Sequence, residues 1–202
     1  MRLATTHPAW VRGFEDEVWW SRLAQPALHA WGETPLHMVE QAVAKTDPDP
    51  QALACYGLLV SCPGDRLSLP EQLWLRFVDG RPLSALTTPC LAWGWEQLAA
   101  RGKTAWLLVW DNASWHVSQA VRDWIQAHNR HIKQQMTSVR IINCYLPIKS
   151  PWLNPLEPRW LHTKRRVLEP ERLLSAAELE ARVYARFGCD PHPRLSIPEK
   201  VA

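Results

Sequence analysis

The chain has 202 residues, 47% of them hydrophobic and 21% charged, a composition typical of one globular domain with a sizeable core. No apolar run is long enough to span a bilayer and the N-terminus has no apolar signal core, which argues against membrane and secreted classes and predicts a cytoplasmic protein. Five widely spaced cysteines with no C-x-x-C pair argue against a zinc knuckle, and a net charge of +3 is too small to identify a partner.

The first half of the chain carries mainly strand patterns. Partial alternation of apolar and polar residues predicts a strand over residues 10–20. Two Asp-Pro steps predict a loop over 46–50, and Asp79-Gly80 predicts a turn. Further strands are predicted over 28–31, 52–61 and 73–78.

The second half alternates strands with helices, which is compatible with a mixed sheet flanked by helices. The near-continuous apolar run over 104–110 is typical of a central strand that is buried on both faces. The polar stretch 129–138 is predicted to be a loop, and 190–202, with three prolines, an irregular tail. Another strand is predicted over 139–146, and helices are predicted over 88–101, 114–128, 154–167 and 175–187.

Asp111 directly follows the apolar strand over 104–110. Because ligands of α/β sheets tend to bind beyond the carboxyl ends of strands, this carboxylate is a candidate site residue. Asn112 and His116 lie on the same connection. A turn or helix cap formed by Asp111 and Asn112 is an equally good interpretation from these residues alone.

Glu157 stands in the string Ser-Pro-Trp-Leu-Asn-Pro-Leu-Glu that begins at Ser150. Asn154 suits the cap of a helix and Pro155 its first position, so Glu157 could complete a capping box. A glutamate in the first turn of a helix could also face a metal ion, and the two roles are compatible. Both interpretations stay open at this point.

Basic residues are concentrated around these two acids. Between Arg122 and Arg166 there are nine lysines and arginines against two acids, Asp123 and Glu157. This is the charge distribution expected of a protein that binds a polyanion such as DNA, although a solvated helix face explains any single cation as well.

The strings Leu107 to His116 (LLVWDNASWH), Leu146-Pro147 and Ser150 to Trp160 resemble the second half of the catalytic domain of DDE transposases, in the IS630 / Tc1-mariner superfamily. The resemblance implies an α/β RNase H-like fold, with a mixed central sheet flanked by helices, over residues 1–189, followed by the tail. It also indicates one departure from the family, the absence of an N-terminal helix-turn-helix region from this chain.

The resemblance implies a metal site of three acids, Asp16, Asp111 and Glu157, holding two Mg²⁺ ions, with Mn²⁺ as an alternative. Along a strand, residues 15 and 17 face one side and residue 16 the other, and the family's Asp-Glu pair favours Asp16. A solvated acidic turn is the structural alternative for this triplet. Supporting positions implied around the metal are Asn112, His116 and Asn154, and the implied DNA contacts are Lys149, Arg159, Lys164, Arg165 and Arg166.

The implied activity is metal-dependent cleavage of double-stranded DNA at transposon ends, followed by strand transfer into target DNA. The alternatives are a catalytically silent or partner-dependent DNA-binding remnant and, less favoured, a host RNase H-like nuclease. The family further implies a homodimer, a separate N-terminal DNA-binding chain as partner, and association with a prokaryotic nucleoid.

Overall fold

The fold is built on one five-stranded sheet. A computed structural model of the chain describes residues 2–23, 41–65, 67, 69–135, 139–169 and 172–197. The strands are β1 (Trp10–Ser21), β2 (Ala52–Ser61), β3 (Gln72–Phe77), β4 (Ala105–Trp110) and β5 (Arg140–Tyr145). Their order across the sheet is β3-β2-β1-β4-β5.

The sheet is mixed. β1, β2 and β3 pair antiparallel, whereas β4 is parallel to β1 and β5 is parallel to β4. Parallel neighbours need crossover connections, and helices supply them. The helices are α1 (Arg2–Thr6), α2 (Ser84–Ala99), α3 (Gln119–Gln135), α4 (Leu156–Lys164) and α5 (Ala176–Phe187), with a short 3₁₀ turn at Pro151–Leu153. The predicted mixed sheet flanked by helices is confirmed.

Helices cover both faces of the sheet and divide the core into two layers. On one face, Trp106 and Leu108 pack with buried residues of α2 and α3 such as Leu91. On the other, Phe14 packs with buried residues of α4 and α5 such as Trp160. Alternation along β1 therefore decides which layer each of its side chains enters.

Strand patterns predicted the sheet closely, because β2, β3, β4 and β5 lie within one or two residues of their predicted bounds. The strand predicted over 28–31 lies outside the described residues. The helix predicted over 88–101 begins four residues earlier, at Ser84, so Pro89 lies inside the helix rather than in its first positions. The helix predicted over 154–167 is shorter, with bounds Leu156–Lys164.

The loop predicted over 129–138 is wrong for residues 129–135, which continue α3 to Gln135. The helix also begins at Gln119 rather than at residue 114, after a turn whose Ser118 Oγ accepts from Val121 N at 3.3 Å. The polar composition misled the prediction because these side chains bond to β5. Asn129, for example, donates from Nδ2 to Ile141 O at 2.8 Å.

The predicted tail is irregular over residues 190–197 but is docked on the sheet. Leu195 is buried, and its N–H donates to Phe77 O at 2.8 Å. In the described part of the chain, no helix is long and apolar enough to cross a membrane.

Candidate active site

Two of the predicted acids lie just beyond the point where β1 and β4 stop pairing. The last pair of that parallel ladder is Phe14 with Val109. Asp16 lies two residues further along β1, which is still paired with β2, and Asp111 follows the end of β4. Both carboxylates therefore sit at the carboxyl edge of the central strands, where α/β sheets bind ligands.

Asp16 faces the α4–α5 layer, and its 9% exposure makes it one of the few buried acids. Trp160 of α4 donates from Nε1 to Asp16 Oδ2 at 2.8 Å. The residue paired with Asp16 on β2 is Gly57, and a Cβ there would lie 2.5 and 2.6 Å from two atoms of the Trp160 ring. The missing side chain of Gly57 thus makes the space that lets the indole reach Asp16.

The pKa of Asp16 is raised to about 7, first by burial, which disfavours the charged form. The hydrogen bond from Trp160 opposes this rise. The negative charges of Glu157, Glu17 and Asp111 add to it. Asp16 therefore lies within electrostatic reach of both other predicted acids, and a cation among the three would relieve their repulsion.

Asp111 is about half exposed and is oriented through one of its two oxygens. His116 Nδ1 and the backbone N–H of Ala113 each lie 2.8 Å from Asp111 Oδ1. These contacts lower the pKa of Asp111, with the hydrogen bond from His116 as the largest cause. Asn112 donates from Nδ2 to Leu146 O at 2.7 Å, which joins the β4 and β5 ends of the site.

His116 is fully buried on the opposite side of the sheet from Asp16, where it meets the other two acids of the triplet. Its Nε2 lies 3.0 Å from an oxygen of Glu15 and 3.0 Å from one of Glu17. Burial opposes protonation, but the charge of Glu15 and the bonds to Asp111, Glu15 and Glu17 raise the pKa of His116 overall. Trp115 Nε1 also donates to Glu17 at 2.6 Å.

Glu15 is the least satisfied group in this cluster. Its side chain is 1% exposed, and neither carboxylate oxygen meets hydrogen-bond geometry, although one lies near His116. Burial and the nearby charge of Glu17 raise the pKa of Glu15 to about 8. The predicted alternation of the triplet is confirmed, with residues 15 and 17 on one face and Asp16 on the other.

Glu157 is exposed in the first turn of α4. The capping box that was one interpretation of this string is absent, because Asn154 N donates to Pro151 O at 2.8 Å rather than to Glu157. Asn154 is buried and caps the helix through Oδ1, which accepts from Leu156 N at 3.1 Å. The Glu157 carboxylate is therefore not used by the cap.

Two sets of side chains could be considered for a metal. Among the described residues, the His, Cys and acidic ligand atoms that converge within 4.8 Å belong to Glu15, Glu17 and His116. In that set Glu15 and His116 are buried, and both nitrogens of His116 already contact carboxylates. Asp16, Asp111 and Glu157 offer hard oxygen ligands at the edge of the sheet where Asp111 and Glu157 are exposed, which suits Mg²⁺ or Mn²⁺.

The predicted DNA contacts lie before and after Glu157 in the chain, and they differ in exposure and in ion pairing. Arg159 forms an ion pair with Glu71, so it is partly neutralised. Lys149 is exposed in a left-handed backbone conformation with φ of 59°, unusual for a residue other than glycine. Lys164, Arg165 and Arg166 are exposed at the end of α4, and no carboxylate among the described residues pairs with them.

Sequence reasoning missed the residues that orient the acids. Trp160 and Gly57 act on Asp16 from more than 40 residues away, which no local pattern reveals. Glu17 contacts Nε2 of His116, and Trp115 in turn donates a hydrogen bond to Glu17. The sequence did offer one signal of such partners, the run of three acids in β1. Acids that alternate along a buried strand face both layers of the core, and each buried acid needs a hydrogen-bond or charge partner in its own layer.

Comparisons with known proteins concern the fold and one segment of the chain. Residues 93–180 match the profile of the DDE superfamily endonuclease, a segment that includes Asp111 and Glu157 but not Asp16. No curated protein sequence matches the chain significantly. The fold matches the Mos1 transposase paired-end complex with left transposon end, at 15% identity and a TM-score of 0.57, over 91% of this chain and 49% of that one.

Two further solved structures give the same result. The Mos1 mariner paired end complex with Mn matches at 15% identity and a TM-score of 0.54, over 90% of this chain and 48% of that chain. A pre-cleavage Mos1 transpososome matches at 13% identity and a TM-score of 0.53, over 93% and 50%. The chain thus spans about half the length of the transposase chains it matches.

The fold is RNase H-like, and residues 93–180 are similar to the DDE superfamily endonuclease. The sheet and helices are similar in fold to those of the Mos1 mariner transposase. The RNase H-like fold that the resemblance implied is confirmed.

Proposed function

We propose that this chain is the catalytic domain of a transposase of the IS630 branch, cleaving DNA at transposon ends and joining the freed end to target DNA. The observation that carries the proposal is the placement of Asp16 on β1, Asp111 at the end of β4 and Glu157 on α4, where the charges of Glu157 and Asp111 add to the burial that raises the pKa of Asp16. Phosphoryl transfer of this kind requires clustered hard oxygen ligands.

Each acid contributes differently to the proposed site. The two hydrogen bonds of Asp111 go to Oδ1, which leaves Oδ2 for a cation. Trp160 occupies Oδ2 of Asp16, which leaves Oδ1. Glu157 is exposed and outside the cap, so it is free to approach from the helix. Two divalent cations held here would lower the pKa of the attacking water or 3′-hydroxyl and stabilise the leaving oxygen.

The remaining residues would hold the substrate and the ligands. Lys149, Lys164, Arg165 and Arg166 are exposed and supply positive charge for phosphates, and Arg159 would first have to leave Glu71. Asn112, His116 and Asn154 are positioning residues for Asp111 and the start of α4. We further propose that residues 1–189 form the catalytic domain and 190–202 its extension.

Proposed partners are duplex DNA, a second copy of the chain to handle two ends together, and a separate N-terminal DNA-binding chain. The test uses Mn²⁺ titration and nicking of supercoiled plasmid by the wild type, Asp111→Asn and Glu157→Gln, with Ca²⁺ as the cation control and exposed Glu96→Gln as the matched variant. Nicking lost in both site variants and kept in Glu96→Gln would support the proposal. Salt-sensitive DNA binding without nicking by the wild type would favour the silent DNA-binding module instead.

A further inference from the structure

A second basic surface lies at the beginning of β5, the end of the strand that is farther from the candidate active site. A groove of about 620 Å³ runs between the C-terminal half of α3 and the beginning of β5. Its lining residues are Gln126, Asn129, Arg130, Ile132, Lys133 and Arg140. Three of these six are cations and none is an acid, so the groove has a strongly positive rim.

The three cations are exposed and uncompensated. Several other arginines of this chain are paired with carboxylates, as Arg182 is with Glu169 at 2.6 Å. Within the described ranges, Arg130, Lys133 and Arg140 make no ion pair or side-chain hydrogen bond, and all three are exposed. An exposed cation without a partner keeps its charge available for a mobile anionic ligand.

The edge of the sheet in this groove is blocked at Ile141 by a side chain of α3. β5 is an edge strand, and such edges normally recruit further strands through free backbone groups. At Ile141 both groups are occupied, because Asn129 Nδ2 donates to its carbonyl at 2.8 Å and its N–H donates to Asn129 Oδ1 at 2.9 Å. The groove therefore offers positive charge rather than backbone pairing, which favours phosphates over an extended peptide.

The groove lies at a definite distance from the proposed site. Arg140 begins β5, whereas Tyr145 ends it and pairs with Trp110, the neighbour of Asp111. Five residues of strand at about 3.3 Å each separate the two ends by roughly 17 Å. At about 3.4 Å per base pair, this corresponds to roughly five base pairs of B-form duplex.

We infer that Arg130, Lys133 and Arg140 form a second DNA-backbone site, which holds the duplex about five base pairs from the cleaved phosphodiester. The inference rests on the proposed function, since it takes the same DNA as substrate. It assigns to the groove a tracking role, in which duplex DNA runs along the edge of β5 from the site to α3.

The test compares the triple variant Arg130→Gln/Lys133→Gln/Arg140→Gln with a control triple of the same charge change, Lys45→Gln/Arg81→Gln/Arg186→Gln. The control side chains are exposed outside the groove, in two loops and on α5. Affinity for hairpin duplexes of about 20 and about 5 base pairs is measured by fluorescence anisotropy over a range of salt concentration. We expect the groove variant to lose about 10- to 100-fold in affinity for the long duplex, and its salt slope to fall by about 2 to 3.

The short duplex is no longer than the separation of the two surfaces, so it can engage both only with its extreme ends, and its affinity should fall by less than that of the long duplex in the groove variant. Equal affinities of the two triple variants for the long duplex would overturn the inference while leaving plasmid nicking, and hence the proposed function, untouched. A wild type that binds poly-glutamate as tightly as DNA, with the binding lost in the groove variant, would overturn it in favour of an acidic protein partner. A wild type with no affinity for either duplex would refute the proposed function itself.

Discussion

Asp16→Asn should make the protein more stable at pH 8, although it removes a proposed catalytic group. The folded-state pKa of Asp16 is about 7, against an ordinary value of 3.8. A raised pKa means that the native state binds the proton more tightly than the unfolded state does. Stability from this group is therefore fully present at pH values below 3.8, falls as pH rises towards 7, and stays low above pH 7.

The size of the effect follows from the shift. About three pKa units at about 1.4 kcal/mol each set a ceiling of roughly 4 kcal/mol for the cost of the charged form above pH 7. Local relaxation reduces such costs, so we expect Asp16→Asn to gain about 2 kcal/mol at pH 8. For a chain of this size that gain raises the melting temperature by about 4–8 °C. The asparagine can still accept the hydrogen bond from Trp160.

The assay is thermal unfolding followed by circular dichroism, in metal-free buffer at pH 8 and at pH 5. The gain at pH 8 should shrink at pH 5, where Asp16 is already protonated in the folded wild type. Asp190→Asn, which alters an exposed acid, is the control and should melt with the wild type at both pH values. Refutation would come from a variant that melts at or below the wild type at pH 8, or from an equal gain at both pH values.

Three further predictions concern the residues that orient the acids. His116→Asn removes the contact that fixes Asp111, so it should weaken Mn²⁺ binding about 10- to 100-fold in a calorimetric titration. Unchanged Mn²⁺ affinity would contradict this role of His116. In the wild type the hydrogen bond from Trp160 lowers the pKa of Asp16, so Trp160→Phe should raise that pKa further. The pH midpoint of Mn²⁺ binding should then move upwards. A lower midpoint would oppose this reasoning. Gly57→Ala should cost about 1–3 kcal/mol in urea unfolding, because its Cβ meets the Trp160 ring, and a neutral result would show that the ring can move aside.

Period-2 patterns and apolar runs predicted the sheet well because they depend on local geometry. The burial of β4 on both faces, for example, is visible directly in the run Ala105–Trp110. The ends of α3 were not predictable in this way, since its polar last turns are held by bonds from Asn129 to β5. Sequence patterns therefore located the elements but not the tertiary contacts that extend or shorten them.

The same distinction applies to the site. The motif strings identified Asp111 and Glu157, and the alternation of β1 separated Asp16 from its neighbours. What the strings could not give is the charge balance, because His116 reaches two acids about 100 residues earlier in the chain.

A run of three acids in a central strand destabilises the folded state when the acids are charged, since burial raises the pKa of Glu15 to about 8 and that of Asp16 to about 7. Among the described residues, Glu15 meets the buried His116 on the α3 side, and Asp16 receives the indole N–H of Trp160 on the α4 side. The α4 side is thus short of positive charge at the edge where Asp111 and Glu157 approach. Negative charge is therefore compensated by His116 on the α3 face and left uncompensated on the α4 face. Such an excess of negative charge is expected where a bound cation contributes to stability. This is the physical reason for choosing Asp16 over Glu15 and Glu17.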